Sequence, residues 1–160
     1  MNNIQSVKAY FDSYDTHNQI KSVIFGSIDD LLDVLPNKKA ADYPLVYVPY
    51  YSRQLSENQA DFQYETLSFM MALYEPFNKN KGKEERQIKL RKLEEIMNDM
   101  IGRLVYDFEE EIFPIKQHID FKGNGPNVSE PLAPNNLIGW AYEFEMLIHS
   151  TIHYKAEVWQ

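Results

Sequence analysis

The sequence predicts a single α+β domain over residues 1–160, in which a mostly antiparallel twisted sheet packs against one long amphipathic helix and N-terminal helices. Three observations predict this fold class. The length of 160 residues suits one hydrophobic core. Apolar residues recur at intervals of three and four between residues 84 and 108. Several other segments alternate between apolar and polar residues, and this repeat of two residues is typical of a strand. Together the two patterns indicate a sheet backed by helices.

The first third of the chain predicts two helices with a short strand between them. Ile4 to Tyr14 carries apolar side chains at helical spacing, and the apolar run Ile20 to Gly26 is typical of an edge strand. Ser27 then precedes a short helix over Ile28 to Leu35. The start of this helix is marked by a serine N-cap and by acidic residues in the first turn, and its end is marked by Pro36.

Two strands are predicted next, with a polar stretch between them. Pro44 to Tyr51 is aromatic and β-branched, and Pro49 within it indicates an edge strand or a bulge. The polar stretch Ser52 to Asp61 is expected to turn the chain. Phe62 to Tyr74 then alternates, and its apolar face carries Leu67, Phe69, Met71 and Leu73.

The opposite face of the strand Phe62 to Tyr74 is only half polar. It carries Ser68, Met70, Ala72 and Tyr74. Such a face indicates either a central strand that is covered on both sides or a strand that meets another subunit. Met70 and Tyr74 are therefore candidate interface residues.

The clearest helix is predicted from Glu84 to Phe108. Its apolar stripe consists of Leu90, Leu93, Ile96, Met97, Met100, Ile101, Leu104, Val105 and Phe108. Arg103 is expected to face outward, and Gly102 is expected to mark close packing against the sheet. Pro114 is expected to end the helix.

The C-terminal part predicts two strands around a long loop. Ile115 to Phe121 and Leu137 to Ile148 both alternate, and the aromatic face of the last strand is expected to pack on the long helix. The loop Lys122 to Asn136 is stiffened by prolines and is expected to be a contact loop outside the core. Its candidate interface residues are Asn124, Pro126 and Asn127.

The charge of the chain is unevenly distributed. The net charge of −8 disfavours a general nucleic-acid binder, yet seven of the sixteen basic residues lie in the connection 79–92. This connection is either solvated, with Glu84 and Glu85 partly neutralising it, or an electrostatic docking site for an acidic neighbour, with DNA the less favoured partner. The candidate interface residues in it are Lys79, Lys81, Lys83, Arg86 and Lys89.

Acidic residues gather at the other end of the long helix. Asp107 and Glu109 to Glu111 are typical of a solvated surface. Acids at the C-terminal end of a helix nevertheless oppose its dipole. That mismatch favours an outside partner with a basic surface.

The sequence contains no pattern that specifies a reaction. It has no cysteine, no Gly-rich phosphate loop and no nucleophile elbow. On a helix, His149 and His153 could share a metal ion with Glu145 and Glu157, but the strand-like context favours solvated histidines. We therefore expect no cofactor, no metal and no enzymatic activity. No apolar run long enough to span a membrane and no secretory signal are present, so we expect a soluble, intracellular type of protein.

Four stretches of sequence carry a resemblance to a known group of proteins. They are Val23 to Leu32, Tyr43 to Val48, the long helix, and the closing segment Asn136 to Met146, in which Gly-Trp precedes alternating aromatic and acidic residues. In this order they resemble the small tail-terminator, tail-completion and neck (head–tail joining) proteins of tailed bacteriophages and related contractile particles. The resemblance covers most of the chain and rests on the order of these segments and on their residue patterns.

The resemblance implies a structural role. Its members are compact α+β subunits that assemble into rings, typically hexamers, at the head-proximal end of the tail. For this chain it implies partners that are further copies of itself and tail-tube, sheath or neck proteins, and a location in the virion after assembly in the host cytoplasm. Two alternatives stay open. One is a small-ligand or adaptor binding module with an aromatic sheet face, and the other is a metal-dependent enzyme that uses His149, His153 and nearby carboxylates.

Overall fold

The computed structural model describes residues 4–57, 63–78, 80–115, 118–129 and 136–149. Within these ranges the helices are α1 (Ile4–Asp12), α2 (Ile28–Val34) and α3 (Lys83–Glu109). The strands are β1 (Ser22–Gly26), β2 (Leu45–Pro49), β3 (Ser52–Glu57), β4 (Gln63–Pro76), β5 (His118–Gly123), β6 (Asn127–Ser129) and β7 (Leu137–His149). Helices and a mixed sheet in one domain confirm the predicted α+β class.

The strands form one sheet in the order β1-β2-β4-β7-β5. β3 continues the line of β2 along β4, and β6 continues the line of β5 along β7. β1 runs parallel to β2, whereas the other pairs are antiparallel, as the sequence predicted for most of the sheet. At the centre, β4 and β7 pair without a break from Tyr64–His149 to Pro76–Leu137.

The segment after β2 differs from the prediction. Ser52 to Glu57 is strand β3 instead of a turn, and it pairs with the first half of β4. Tyr47 pairs with Ala72 and Ser52 pairs with Ser68, so the β2–β3 line gains one residue over β4. The extra residue lies within residues 48–51, which include Pro49, so a bulge is present in the predicted segment. The edge-strand alternative is wrong for β2, which lies between β1 and β4, while β1 takes the predicted edge position.

The predicted loop 122–136 is partly a strand. Lys122 and Gly123 belong to β5, which begins at His118 and not at the predicted Ile115. Asn127–Ser129 forms β6 along the start of β7. The physical reason is that the backbone groups along β7 need hydrogen-bond partners, and this requirement outweighs a composition rich in glycine and proline. Residues 130–135 lie outside the described part of the chain.

The main core fills the space between α3, α1 and one face of the sheet. From α3 it contains Leu93, Ile96, Met97, Met100, Leu104 and Phe108, and from the central strands Leu67, Phe69, Met71, Leu73, Tyr142, Phe144, Met146 and Ile148. The indole Nε1 of Trp140 donates a hydrogen bond to the carbonyl of Leu90 at 2.8 Å. The predicted orientation of the last strand, with its aromatic face on the long helix, is confirmed.

A second, smaller cluster covers half of the opposite sheet face. It is built under α2 from Leu31, Leu35, Leu45, Tyr47, Ala72, Tyr74 and Leu137. α2 is held there by the predicted cap, because Ser27 Oγ accepts from the Asp30 amide at 3.2 Å and the Asp30 carboxylate accepts from the Ser27 amide at 2.6 Å. The C-terminal half of β4 is therefore buried on both faces, which confirms the prediction of a central strand.

Two expectations about α3 are wrong: Gly102 does not pack against the sheet, and Pro114 does not end the helix. Gly102 is exposed, and a Cβ built there meets no atom within 4 Å, because the buried stripe of α3 faces the other way. The helix ends at Glu109, before Pro114. Glu111 has a φ of 56°, and the amides of Ile112 and Phe113 fold back to donate to the carbonyl of Asp107 at 2.8 and 3.0 Å. The left-handed residue stops the helix, as in a Schellman-type end.

Candidate interaction surface

A shallow groove crosses the half of the second sheet face that α2 leaves open. It has a volume of about 270 Å³ and is lined by Tyr50, Ser68, Met70, Asn124, Glu143 and Glu145. Met70 pairs with Glu143 in the centre of the sheet. The groove lies on the face opposite α3, since the neighbouring residues in each strand point into the main core.

Two bulges at the same height of the sheet form the ends of the groove. One is the extra residue between β2 and β3, which places Tyr50 beside β4. The other lies between β5 and β6, because Gly123 pairs with Phe144 while Asn127 pairs with Ala141. Asn124 lies in this second bulge, and its amide donates to the carbonyl of Glu143 at 3.0 Å. Bulges bend a strand and aim its side chains away from the regular pleat.

The groove combines an apolar end with an acidic side. Tyr50 lines one end of the groove and is 52% exposed, and its ring also contacts Phe25 of the main-core face, with ring centroids 5.4 Å apart. Met70 is half-buried. Glu143 and Glu145 are exposed neighbours on one face of β7, and Ser68 Oγ donates a hydrogen bond to Glu145 Oε1 at 3.4 Å. A surface of this kind suits a partner with a cation beside an apolar side chain.

The candidate interface residues of the sheet separate into two groups. The structure brings Met70 and Asn124 together in the groove. Pro126 and Asn127 follow Asn124 and lead into β6, where Asn127 Nδ2 donates to the carbonyl of Gly125 at 3.1 Å. Tyr74, by contrast, is 4% exposed inside the cluster under α2, so its burial is already achieved within the chain. An outside partner is not required to explain Tyr74.

The basic connection 79–92 lies at the start of α3, and part of it is used within the chain. Lys89 Nζ donates to the carbonyl of Pro76 at 2.7 Å, and Lys81 pairs with Glu85 at 3.2 Å. Arg86 is half-buried, and Lys79 lies outside the described residues. Lys83 is exposed, with no ion pair among the described residues. The interface role of this segment remains a prediction.

Sequence reasoning missed Ile88 as a surface residue of this segment. Ile88 lies outside the predicted stripe of α3 and is 62% exposed. Arg91, one turn later, is exposed and makes no ion pair with any described residue. An apolar residue within the polar side of an otherwise regular amphipathic helix is the signal that could have identified this position.

The acidic end of α3 is divided between interior and surface. Glu109 to Glu111 are exposed, as predicted. The solvated interpretation is wrong for Asp107, which is 6% exposed and accepts a hydrogen bond from the Tyr10 hydroxyl at 2.7 Å. Arg103 is half-buried instead of facing outward, with its Nε 3.4 Å from Asp107 and its Nη2 2.8 Å from Ser13 Oγ. The cationic partner of Asp107 thus belongs to the same chain.

Two tyrosines of α1 and its following turn are buried beside Asp107. Burial raises the pKa of Tyr10 far above its usual range, and the neighbouring Tyr14 and Asp107 raise it further. Burial likewise raises the pKa of Tyr14 to about 12. The guanidinium of Arg103 lies 4.8 Å from the ring centroid of Tyr14. Both phenols are therefore held neutral in the folded protein.

We expect the protein to lose stability in alkali through these two tyrosines. An unfolded tyrosine ionises near pH 10.0, so the stabilisation from a neutral Tyr14 is complete below that pH and is lost as pH rises toward about 12. Urea unfolding at a series of pH values measures the effect. A Tyr10→Phe/Tyr14→Phe variant is the control, and its stability should fall less steeply above pH 10. Equal slopes for the two proteins would contradict the prediction.

The histidine pattern receives no support as a metal site in the described part of the chain. His149 is exposed at the end of β7, with its ring centroid 5.3 Å from that of Tyr64. His153 and Glu157 lie outside the described residues. Among the residues that the structure does describe, no three histidine or acidic side chains are grouped as metal ligands. No described helix has the length and apolarity required to cross a membrane.

Comparison with known proteins assigns the chain to no family. No protein-family model matches the sequence, and no curated protein matches it either.

Proposed function

We propose that this chain is a structural subunit of a virion, which assembles into a ring at the head-proximal end of a phage tail or of a related contractile particle, as a tail terminator or neck protein. The observation that carries the proposal is the presence of two unlike surfaces on opposite sides of the sheet. One is the groove with Glu143 and Glu145. The other is the basic start of α3 on the far side.

Unlike surfaces on opposite sides suit head-to-tail association. A heterologous interface joins two different patches of neighbouring subunits, and it closes into a ring when the rotation between subunits allows. The segment 79–92 contains seven basic and two acidic residues in a chain whose net charge is −8. This separation of charge favours contact between copies, with six copies as the number that the sequence resemblance implies.

The alternative of a small-ligand module with an aromatic sheet face finds less support. Tyr142 and Phe144 are buried, and Trp140 packs against the same core. These residues therefore lie under α3 and do not line an open sheet. The groove on the other face is shallow and is lined by carboxylates, whereas small-molecule sites are usually enclosed and mostly apolar.

We expect the purified protein to form a closed oligomer in dilute salt. Light scattering coupled to size-exclusion chromatography over a concentration series measures its mass, and a discrete mass near six subunits supports the ring. The oligomer should weaken as salt is raised, because exposed charge pairs are screened over about 8 Å at physiological ionic strength. Purified tail tubes or sheaths are the probe for the terminal position. A monomer at every concentration, with and without tubes, would overturn the proposal.

A further inference from the structure

We propose that the start of α3 of one copy docks in the sheet groove of the next copy, with Ile88 on the apolar end of the groove and Arg91 on its acidic side. This inference rests on the proposed ring, and it names the contact that joins neighbouring subunits. The groove is the one lined by Tyr50, Met70, Glu143 and Glu145.

The acidic side of the groove fits a guanidinium group. Glu143 and Glu145 are two residues apart on one strand face, so their Cα atoms are separated by about 7 Å. Ser68 approaches only one oxygen of Glu145, and no lysine or arginine of the described chain pairs with either carboxylate. The guanidinium of an arginine binds a carboxylate through two parallel hydrogen bonds, whereas the ammonium of a lysine does not form this pair of bonds. An arginine of the partner can therefore form such a bidentate pair with either of the two adjacent carboxylates.

The start of α3 offers the complementary pair of side chains. Ile88 and Arg91 are three residues apart, so they lie on the same side of the helix. Ile88 is the most exposed large apolar side chain among the described residues, and Arg91 has no ion pair there. An apolar anchor next to an arginine is the composition of an interface centre.

The two surfaces require a head-to-tail contact. The groove lies on one face of the sheet, and α3 packs on the other. In a two-fold dimer the groove and the helix of one copy would both have to face the same partner, which their opposite positions do not allow. The second copy is also the partner favoured by charge, because the groove is acidic and segment 79–92 is basic.

Charge exchange tests the contact. Arg91→Glu, and separately Glu143→Arg with Glu145→Arg, should each weaken association by about tenfold or more, which sedimentation velocity measures. The chain that carries all three changes should regain assembly, because the opposite charges then face each other again. Ile88→Ser should also weaken association while leaving the circular dichroism spectrum of the subunit unchanged, since the side chain is exposed in the free subunit.

Glu110→Arg is the matched control for the groove variants. Glu110 is an exposed carboxylate at the other end of α3, and its reversal should leave assembly unchanged. Each variant is first checked for its circular dichroism spectrum, so that misfolding is not counted as lost contact. The docking mode would be overturned, with the ring left in place, if either Arg91→Glu or the Glu143→Arg/Glu145→Arg variant assembled as well as the wild type. It would also be overturned if the chain with all three changes stayed dissociated. A wild type that is always monomeric would overturn both.

Discussion

Replacing Phe144 by alanine is expected to lower the free energy of unfolding by about 3–5 kcal/mol. Phe144 is 1% exposed, and its ring stacks on that of Phe69 with centroids 4.8 Å apart and planes 2° from parallel. Phe121 of β5 and Phe108 of α3 contact the same ring, with centroids 5.6 and 6.2 Å from it. The large effect follows because α3, β4 and β5 all lose a shared contact and a cavity remains between them. Urea denaturation followed by circular dichroism measures it.

Leu147→Ala is the control for this prediction. Leu147 is a half-buried residue of the same strand, but it lies on the opposite face and outside the main core. Its replacement should cost less than half as much as that of Phe144. If Phe144→Ala unfolds at nearly the wild-type urea midpoint, the orientation assigned to β7 is wrong.

Replacing Asp107 by alanine is expected to cost about 2–3 kcal/mol of stability. The buried carboxylate accepts from the Tyr10 hydroxyl and lies beside the guanidinium of Arg103, so its loss removes a charge-assisted bond and leaves the phenol without its closest acceptor. Asp107→Asn keeps an acceptor for Tyr10 and should cost less. The same urea measurements compare the two variants.

A double-mutant cycle identifies the contact responsible. In the Tyr10→Phe background, Asp107→Ala should cost less than in the wild type, because the hydroxyl that loses its acceptor is already gone. Identical costs in both backgrounds would show that the two side chains are not coupled. In that case Asp107 would stabilise the helix end through Arg103 alone.

The order of the main elements could be predicted because their patterns are long. The stripe of α3 and the alternation of β7 each extend over many residues, so a local exception changes little. β3 and β6 carry no such pattern. Both are strands because they lie along β4 and β7, whose backbone groups require partners. That requirement depends on the tertiary fold and cannot be read from a local stretch of polar residues.

The candidate surface could be predicted only in part for a related reason. Alternation places Met70 and Tyr74 on the same face of β4, but it does not show that α2 covers Tyr74 and leaves Met70 at the edge of an open groove. The position of Tyr50 and Asn124 at the two ends of one groove depends on two bulges in different strands at the same height. The burial of Asp107 could not be predicted because its partner Tyr10 is 97 positions away in the sequence.

The unbroken pairing of β4 with β7 has a consequence for how the molecule is made. Residues 77–136 lie between its two strands, so this central ladder closes a long loop, and we expect it to form late in folding. Until it closes, the edge of β4 that faces β7 is available to any other extended segment, including the same strand of another copy. Refolding yield should therefore fall as protein concentration rises, and rapid dilution is the condition that favours the native subunit over the aggregate.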